Sequence, residues 1–226
     1  MKVDDLALVS GWPHTRATLR RWNAAPWGVL GGWALGSLVV TLLLLGATWL
    51  VATARIPDPS TLHVYPGLNR PATYHDFAFV LLRNGTVLAL HALACVAGFI
   101  AGWSPPGKRS RLQEHAGPAA ILFVIAATMF SLITQADALG TMLADLAFRL
   151  DLTPLQLLTA LTPHALPELF AVFLPLAAWS IASRRGAWDE LLAATIATTA
   201  IAVPLLLLAG AIETWVTPHL LLSLAV

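Results

Sequence analysis

Five stretches of this chain are long and apolar enough to cross a lipid bilayer, and they leave little sequence for anything else. They lie at about residues 27–54, 77–103, 116–139, 163–183 and 190–216. A spanning helix needs about 20 mainly apolar residues to cover roughly 30 Å of hydrocarbon. Only 11% of the 226 residues are charged and 58% are hydrophobic, whereas soluble domains carry about a quarter charged residues. The expected class is an all-α polytopic integral membrane protein with five transmembrane helices. Residues 1–26 then form an N-terminal cytoplasmic segment, and 27–226 a single membrane domain.

The same composition excludes a soluble globule and a disordered chain, and Cys95, the only cysteine, excludes a disulfide-stapled secreted domain. A net charge of +1 offers no footprint for nucleic acid. Walker loops, dinucleotide fingerprints and serine nucleophile elbows are absent from the sequence, so no cofactor is implied. The first span is much longer than the apolar core of a signal peptide and ends without a cleavage pattern, so it is expected to stay in the mature protein.

Lysine and arginine resist translocation and mark the cytoplasmic side. Lys2, Arg16, Arg20 and Arg21 precede span one, Lys108, Arg109 and Arg111 separate spans two and three, and Arg184 and Arg185 separate spans four and five. The opposite loops carry only Arg55, Arg70 and Arg149, with Arg83 at a membrane boundary. The N-terminus is therefore expected in the cytoplasm and the C-terminus outside. Most tryptophans fall near one surface or the other, as amphipathic indoles do; Trp33 fits neither.

Two outer segments are longer than turns. Residues 55–76 contain Pro57, Pro59, Pro66 and Pro71 and read as a proline-ordered loop. In 140–162, Thr153 followed by Pro154 signals a helix start, with Leu155, Leu158 and Leu161 on one face. A short interfacial helix on the outer surface is expected there, and Thr162-Pro163 repeats the start signal to open span four.

Glycines at 28, 32 and 36 in span one, and at 98 and 102 in span two, make ridges that let a second helix approach closely. Gly28, Gly32, Gly36, Gly98 and Gly102 are thus candidate packing residues, either inside the bundle or along a homodimer seam. Cys95 lies mid-span and reads as a small buried hydrophobe. His91, also mid-span, reads as bonded to a neighbouring helix, whereas His14, His63, His75 and His115 fall in solvated loops.

Ionisable groups inside a span are costly and point to a pairing or a site. With the topology above, His164 and Glu168 share one face of span four in its outer turns. Glu213 lies near the outer end of span five, and His219 follows in a Thr217-Pro218-His219 turn. Asn84 opens span two on that side, and Gln135 and Asp137 close span three. His164, Glu168, Glu213, Asn84, Gln135 and Asp137 are therefore expected to form one polar cluster in the outer leaflet. Pro167 adds to it by leaving the Pro163 carbonyl without its helical donor. Three uses remain open: interhelical hydrogen bonding, a docking or substrate pocket, and a metal site built from His164, Glu168 and Glu213 with His219. The sequence has no H-E-x-x-H pair, and no catalytic residue or metal ligand is assigned.

The run Thr162-Pro163-His164-Ala165-Leu166-Pro167-Glu168-Leu169-Phe170-Ala171 resembles the proline-histidine-glycine and glutamate-leucine-x-alanine signature of the stage II sporulation protein M family. Ala209-Gly210-Ala211-Ile212-Glu213 with Thr217-Pro218 is similar to that family's closing motif, and Arg83-Asn84 with Gly98 and Gly102 to its early asparagine and glycine pattern. Ala165 stands where the family usually has glycine, Gly85 where a second asparagine is common, and Gln135-Ala136-Asp137 replaces an asparagine-glycine end of span three. The resemblance implies an integral membrane scaffold or regulator of cell-envelope (peptidoglycan) remodelling, not an enzyme, whose partners are the lipid bilayer, envelope hydrolases or other membrane proteins. The rival expectations are an intramembrane metal-dependent hydrolase and the membrane subunit of a transporter.

Overall fold

The computed structural model describes residues 6–58, 60, 65–103 and 111–225, without the side chains of 111–121 and 123. Lys2, Pro59, His63, Lys108 and Arg109 lie outside the described residues, as do the side chains of Arg111 and His115. Among the described residues the chain is helical, with no strand. Two helices precede the bundle, α1 (Ala7–Ser10) and α2 (Trp12–Ala24). Four long ones follow: α3 (Trp27–Ala54), α4 (Tyr74–Gly102), α5 (Arg111–Arg149) and α6 (Pro154–Arg185). A 3₁₀ turn (Trp188–Glu190) then leads into α7 (Leu191–Ala211), a π turn (Ile212–Val216) and α8 (Thr217–Leu224). Five of these stretches are long and apolar enough to cross a membrane: α3, α4, Val124–Arg149 of α5, α6, and Trp188–Leu224.

Helix α6 occupies the centre. In its most apolar stretch 61% of residues are buried, against 11% to 33% in the other four, and residues 171–179 are buried without a break. A helix buried on every face must be surrounded by its neighbours. Accordingly α3, α4 and α7 all pack extensively on it, and α5 and α8 touch it at its first turns. Three prolines, Pro163, Pro167 and Pro175, lie inside this helix, and each removes one backbone donor. Neighbours answer around Pro175. The Ser37 hydroxyl of α3 donates to Phe170 O at 2.6 Å, His91 Nδ1 of α4 lies 2.8 Å from Val172 O, and Cys95 Sγ donates to Pro175 O at 3.3 Å. These contacts flank the Ala171 carbonyl that Pro175 deprives of its partner, the kind of compensation that lets proline persist in a membrane helix.

The start of α6 corrects the expected short interfacial helix. Thr153 does cap a helix, in a reciprocal box with Gln156, but that helix continues through Thr162-Pro163 into the span. Thr162 turns its hydroxyl back onto Leu158 O at 2.8 Å, the behaviour of an interior helical residue and not of a cap. Of the expected leucine face, Leu155 is exposed, while Leu158 and Leu161 are partly buried beside the fully buried Leu157, which packs with Ala160 against Leu143, Ala144 and Ala147 of α5 and Leu221 of α8. Span two likewise begins three residues before the expected 77, because Thr73 and Asp76 form a second capping box that Arg70 completes by pairing with Asp76. Span three extends to Arg149 and span five to Leu224, both beyond the expected 139 and 216.

Of the glycine ridge on α3, Gly36 lies against Ala177 and Gly32 against Ile181 of α6, while a Cβ on Gly28 would meet nothing within 4 Å. The tighter seam on α3 is Trp33, Ser37, Thr41, Leu44, Thr48 and Ala52, all buried; small polar residues admit close approach as glycine does. Gly98 and Gly102 face Leu191 and Trp188. A further tight glycine contact lies at the finish of α3, where a Cβ on Gly140 of α5 would stand 2.6 Å from Val51 Cβ and 2.9 Å from the Thr48 carbonyl. Trp33 packs inward, edge-on to Trp22 at 5.1 Å.

Candidate functional site

Three separated segments converge at the end of the bundle formed by the finish of α3, the start of α4, the first half of α6 and the π turn. On α6, His164 and Glu168 stand one turn apart. On α4, Arg83 and Asn84 stand side by side, and Asn84 is buried. Glu213 lies in the π turn, where Thr217 N–H reaches back to Ile212 O. Pro218 cannot donate to Thr214 O, and the widened turn takes up that interruption of the α pattern. Such single π turns re-aim side chains, and here the two flanking polar groups, Glu213 and Thr217, both contact the other segments.

Arg83 joins the pieces. One guanidinium nitrogen lies 3.9 Å from Glu168 Oε1 and 3.8 Å from Glu213 Oε1, while its Nε donates to Asn84 Oδ1 at 3.3 Å. The Glu168 carboxyl also interacts electrostatically with the Glu213 carboxyl and lies near Asn84. Both glutamates are nearly enclosed, at 12% and 16% side-chain exposure, but Arg83 is 56% exposed. His164 is buried and pairs through Nδ1 with the Thr217 hydroxyl at 2.8 Å. The far oxygens Glu168 Oε2 and Glu213 Oε2 are buried with no hydrogen-bond partner, as are Tyr65 Oη and Thr214 Oγ1. Buried polar atoms ordinarily find partners, so four such orphans in one region mark an unsatisfied polar chamber.

A loop closes the chamber. Gly67 adopts φ of 89°, and a Cβ there would lie 2.4 Å from Pro218 Cγ, so this position demands glycine for both conformation and space. Gly67 N–H donates to Arg70 O and Tyr65 N–H to Asn69 Oδ1, making a compact turn that seats Tyr65 against Leu143, Leu157 and their neighbours. Burial, then the negative charges of Glu213 and Glu168, pushes the Tyr65 hydroxyl above the ordinary tyrosine range.

The structure therefore brings Asn84, His164, Glu168 and Glu213 together and leaves two expected members out. Gln135 bonds Ser131 of its own helix at 2.8 Å, and Asp137 pairs with Arg55 at an exposed position. Both sit on α5, which carries them away from the junction of α4, α6 and the π turn. His219 is exposed. Among the described residues no three His, Cys, Asp or Glu side chains are grouped as a metal site. Sequence reasoning missed Arg83 and Tyr65 as members. Arg83 was legible as the charged residue beside Asn84 in an otherwise apolar run; nothing local announces Tyr65, whose position depends on the fold of its loop. No protein-family model, no curated protein and no solved structure matches this chain.

Proposed function

We propose that this protein is a non-enzymatic scaffold or regulator of cell-envelope (peptidoglycan) remodelling, resembling stage II sporulation protein M. We place it in a bacterial inner membrane with its N-terminus in the cytoplasm and its C-terminus outside. One observation carries the reading. Of the residues that bear the resemblance, Pro163 to Glu168, Glu213 to Pro218 and Arg83-Asn84 meet in space, while Gly98 and Gly102 pack elsewhere, on Leu191 and Trp188. A likeness made of unrelated short matches has no reason to assemble into one polar chamber. Its location supports a docking role, because Arg83 remains exposed at the rim while the glutamates behind it are enclosed.

Two measurements test this. Reporter fusions should place the C-terminus outside, and a cytoplasmic signal there overturns the orientation. In the native host, Glu168→Gln with Glu213→Gln, expressed at the wild-type level, should alter the muropeptide profile as deletion of the gene does. A profile unchanged by deletion refutes the remodelling role. Stoichiometric zinc in the purified protein, lost in His164→Ala, would instead mark a metal-dependent hydrolase.

A further inference from the structure

The N-terminal segment, expected only as a cytoplasmic lead-in, folds onto the opposite end of the bundle. Helix α2 buries Thr15, Thr18 and Trp22, a 3–4 residue spacing that gives it one packed face. Gly11 sits against the Phe99 ring of α4, Ser10 Oγ accepts from Trp103 Nε1 at 3.0 Å, and Trp22 packs with Trp33, Leu174, Ala193 and Ala194. These partners run from Trp103, just past the end of α4, and the first turn of α7 (Ala193 and Ala194) to Trp33, nearly two turns into α3, so α2 lies against the side of this end of the bundle.

Its charges are divided. Asp189 and Glu190, the acids of the neighbouring 3₁₀ turn, are already engaged: Asp189 lies 3.0 Å from His14 Nε2, and Glu190 pairs with Arg21. Arg16 and Arg20 point from the outer face one turn apart, both exposed, and among the described residues neither has a carboxylate partner. Exposed Trp12 stands one turn before Arg16 on the same helix, and Leu8 and Val9 of α1 are exposed as well. Arg184 and Arg185, exposed at the finish of α6, add cations at the same end. Unpaired guanidiniums beside an exposed indole, at an end of membrane-spanning helices, fit one occupant by charge, the phosphate of an acidic membrane lipid.

We propose that α2 is an in-plane membrane anchor whose Arg16 and Arg20 bind the headgroups of anionic phospholipids. The experiment reconstitutes the full chain in vesicles of equal phosphatidylcholine and phosphatidylglycerol, extracts it gently, and weighs the retained lipids by native mass spectrometry. Wild type should retain phosphatidylglycerol preferentially. Arg16→Gln with Arg20→Gln should reduce that preference on the order of 30-fold, the effect of two surface cations, and the corresponding double lysine variant should keep it. Equal retention of both lipids by wild type, or an undiminished preference in the glutamine variant, overturns the proposal. Release of the lipid by inorganic phosphate also overturns it, since the arginines would then be a free-anion site.

Discussion

Removing Arg83 tests whether the polar chamber is an electrostatic unit. Its guanidinium stands 3.8 and 3.9 Å from two carboxylates; at an effective dielectric of about 20 each contact is worth about 4 kcal/mol. With 56% of the side chain exposed, screening reduces this severely, to about 1 kcal/mol per contact. Arg83→Gln should therefore cost about 2 kcal/mol while both glutamates are present. In a Glu168→Gln, Glu213→Gln background the same change should cost almost nothing, because no charge remains to be paired. The difference, a coupling of about 2 kcal/mol, corresponds to a melting shift of about 4–8 °C for a chain of this size. Thermal unfolding of the four proteins in one detergent, followed by helical circular dichroism, gives the complete cycle. Equal losses in the two backgrounds would refute the reasoning, since Arg83 would then act through packing alone.

Two further outcomes follow from contacts and burial. Gly140→Val should destabilise the bundle by about 1–3 kcal/mol through overpacking, because the new atoms meet Val51 and an immovable Thr48 carbonyl, whereas Gly28→Ala should leave the melting temperature unchanged. The raised Tyr65 value means that the folded chain keeps a proton the unfolded chain has lost. This contribution is intact below about pH 10 and disappears as the pH rises through the folded-state value. In a Tyr74→Phe chain, phenolate absorbance should stay flat through the ordinary tyrosine range until unfolding, and a normal titration would show the hydroxyl to be open to solvent.

Span one was legible to the residue, because an uncharged run between Pro26 and Arg55 leaves no other boundary. The first turns of α6 were not. Thr153-Pro154 and Thr162-Pro163 are the same dipeptide, yet the first opens a helix and the second lies within one. The distinction is made by what surrounds them: Gln156 completes a box for Thr153, while the bundle supports continuation past Pro163. The convergence of His164, Glu168, Glu213 and Asn84 was legible because helix direction converts sequence position into depth. Depth alone does not say which way around the bundle a helix stands, and that is why Gln135 and Asp137, at the right level on α5, were grouped with a chamber they do not join. The π turn was hidden for a different reason. Its effect comes from a backbone widening next to Pro218, and apolar periodicity carries no trace of it.

The central position of α6 bears on the order in which this chain can assemble. Helix α3 packs on α5 and α6, and α4 on α6 and α7, so both of these spans are synthesised before their principal partners. Until α6 enters the bilayer, the hydroxyl of Ser37 and the imidazole of His91 lack the carbonyls they reach in the finished protein. A nascent chain halted before that point would hold inserted but loosely associated rods, exposed to membrane quality control. Helix α6 thus acts as the keystone, and substitutions that slow its insertion should lower the yield of protein even where the completed bundle tolerates them.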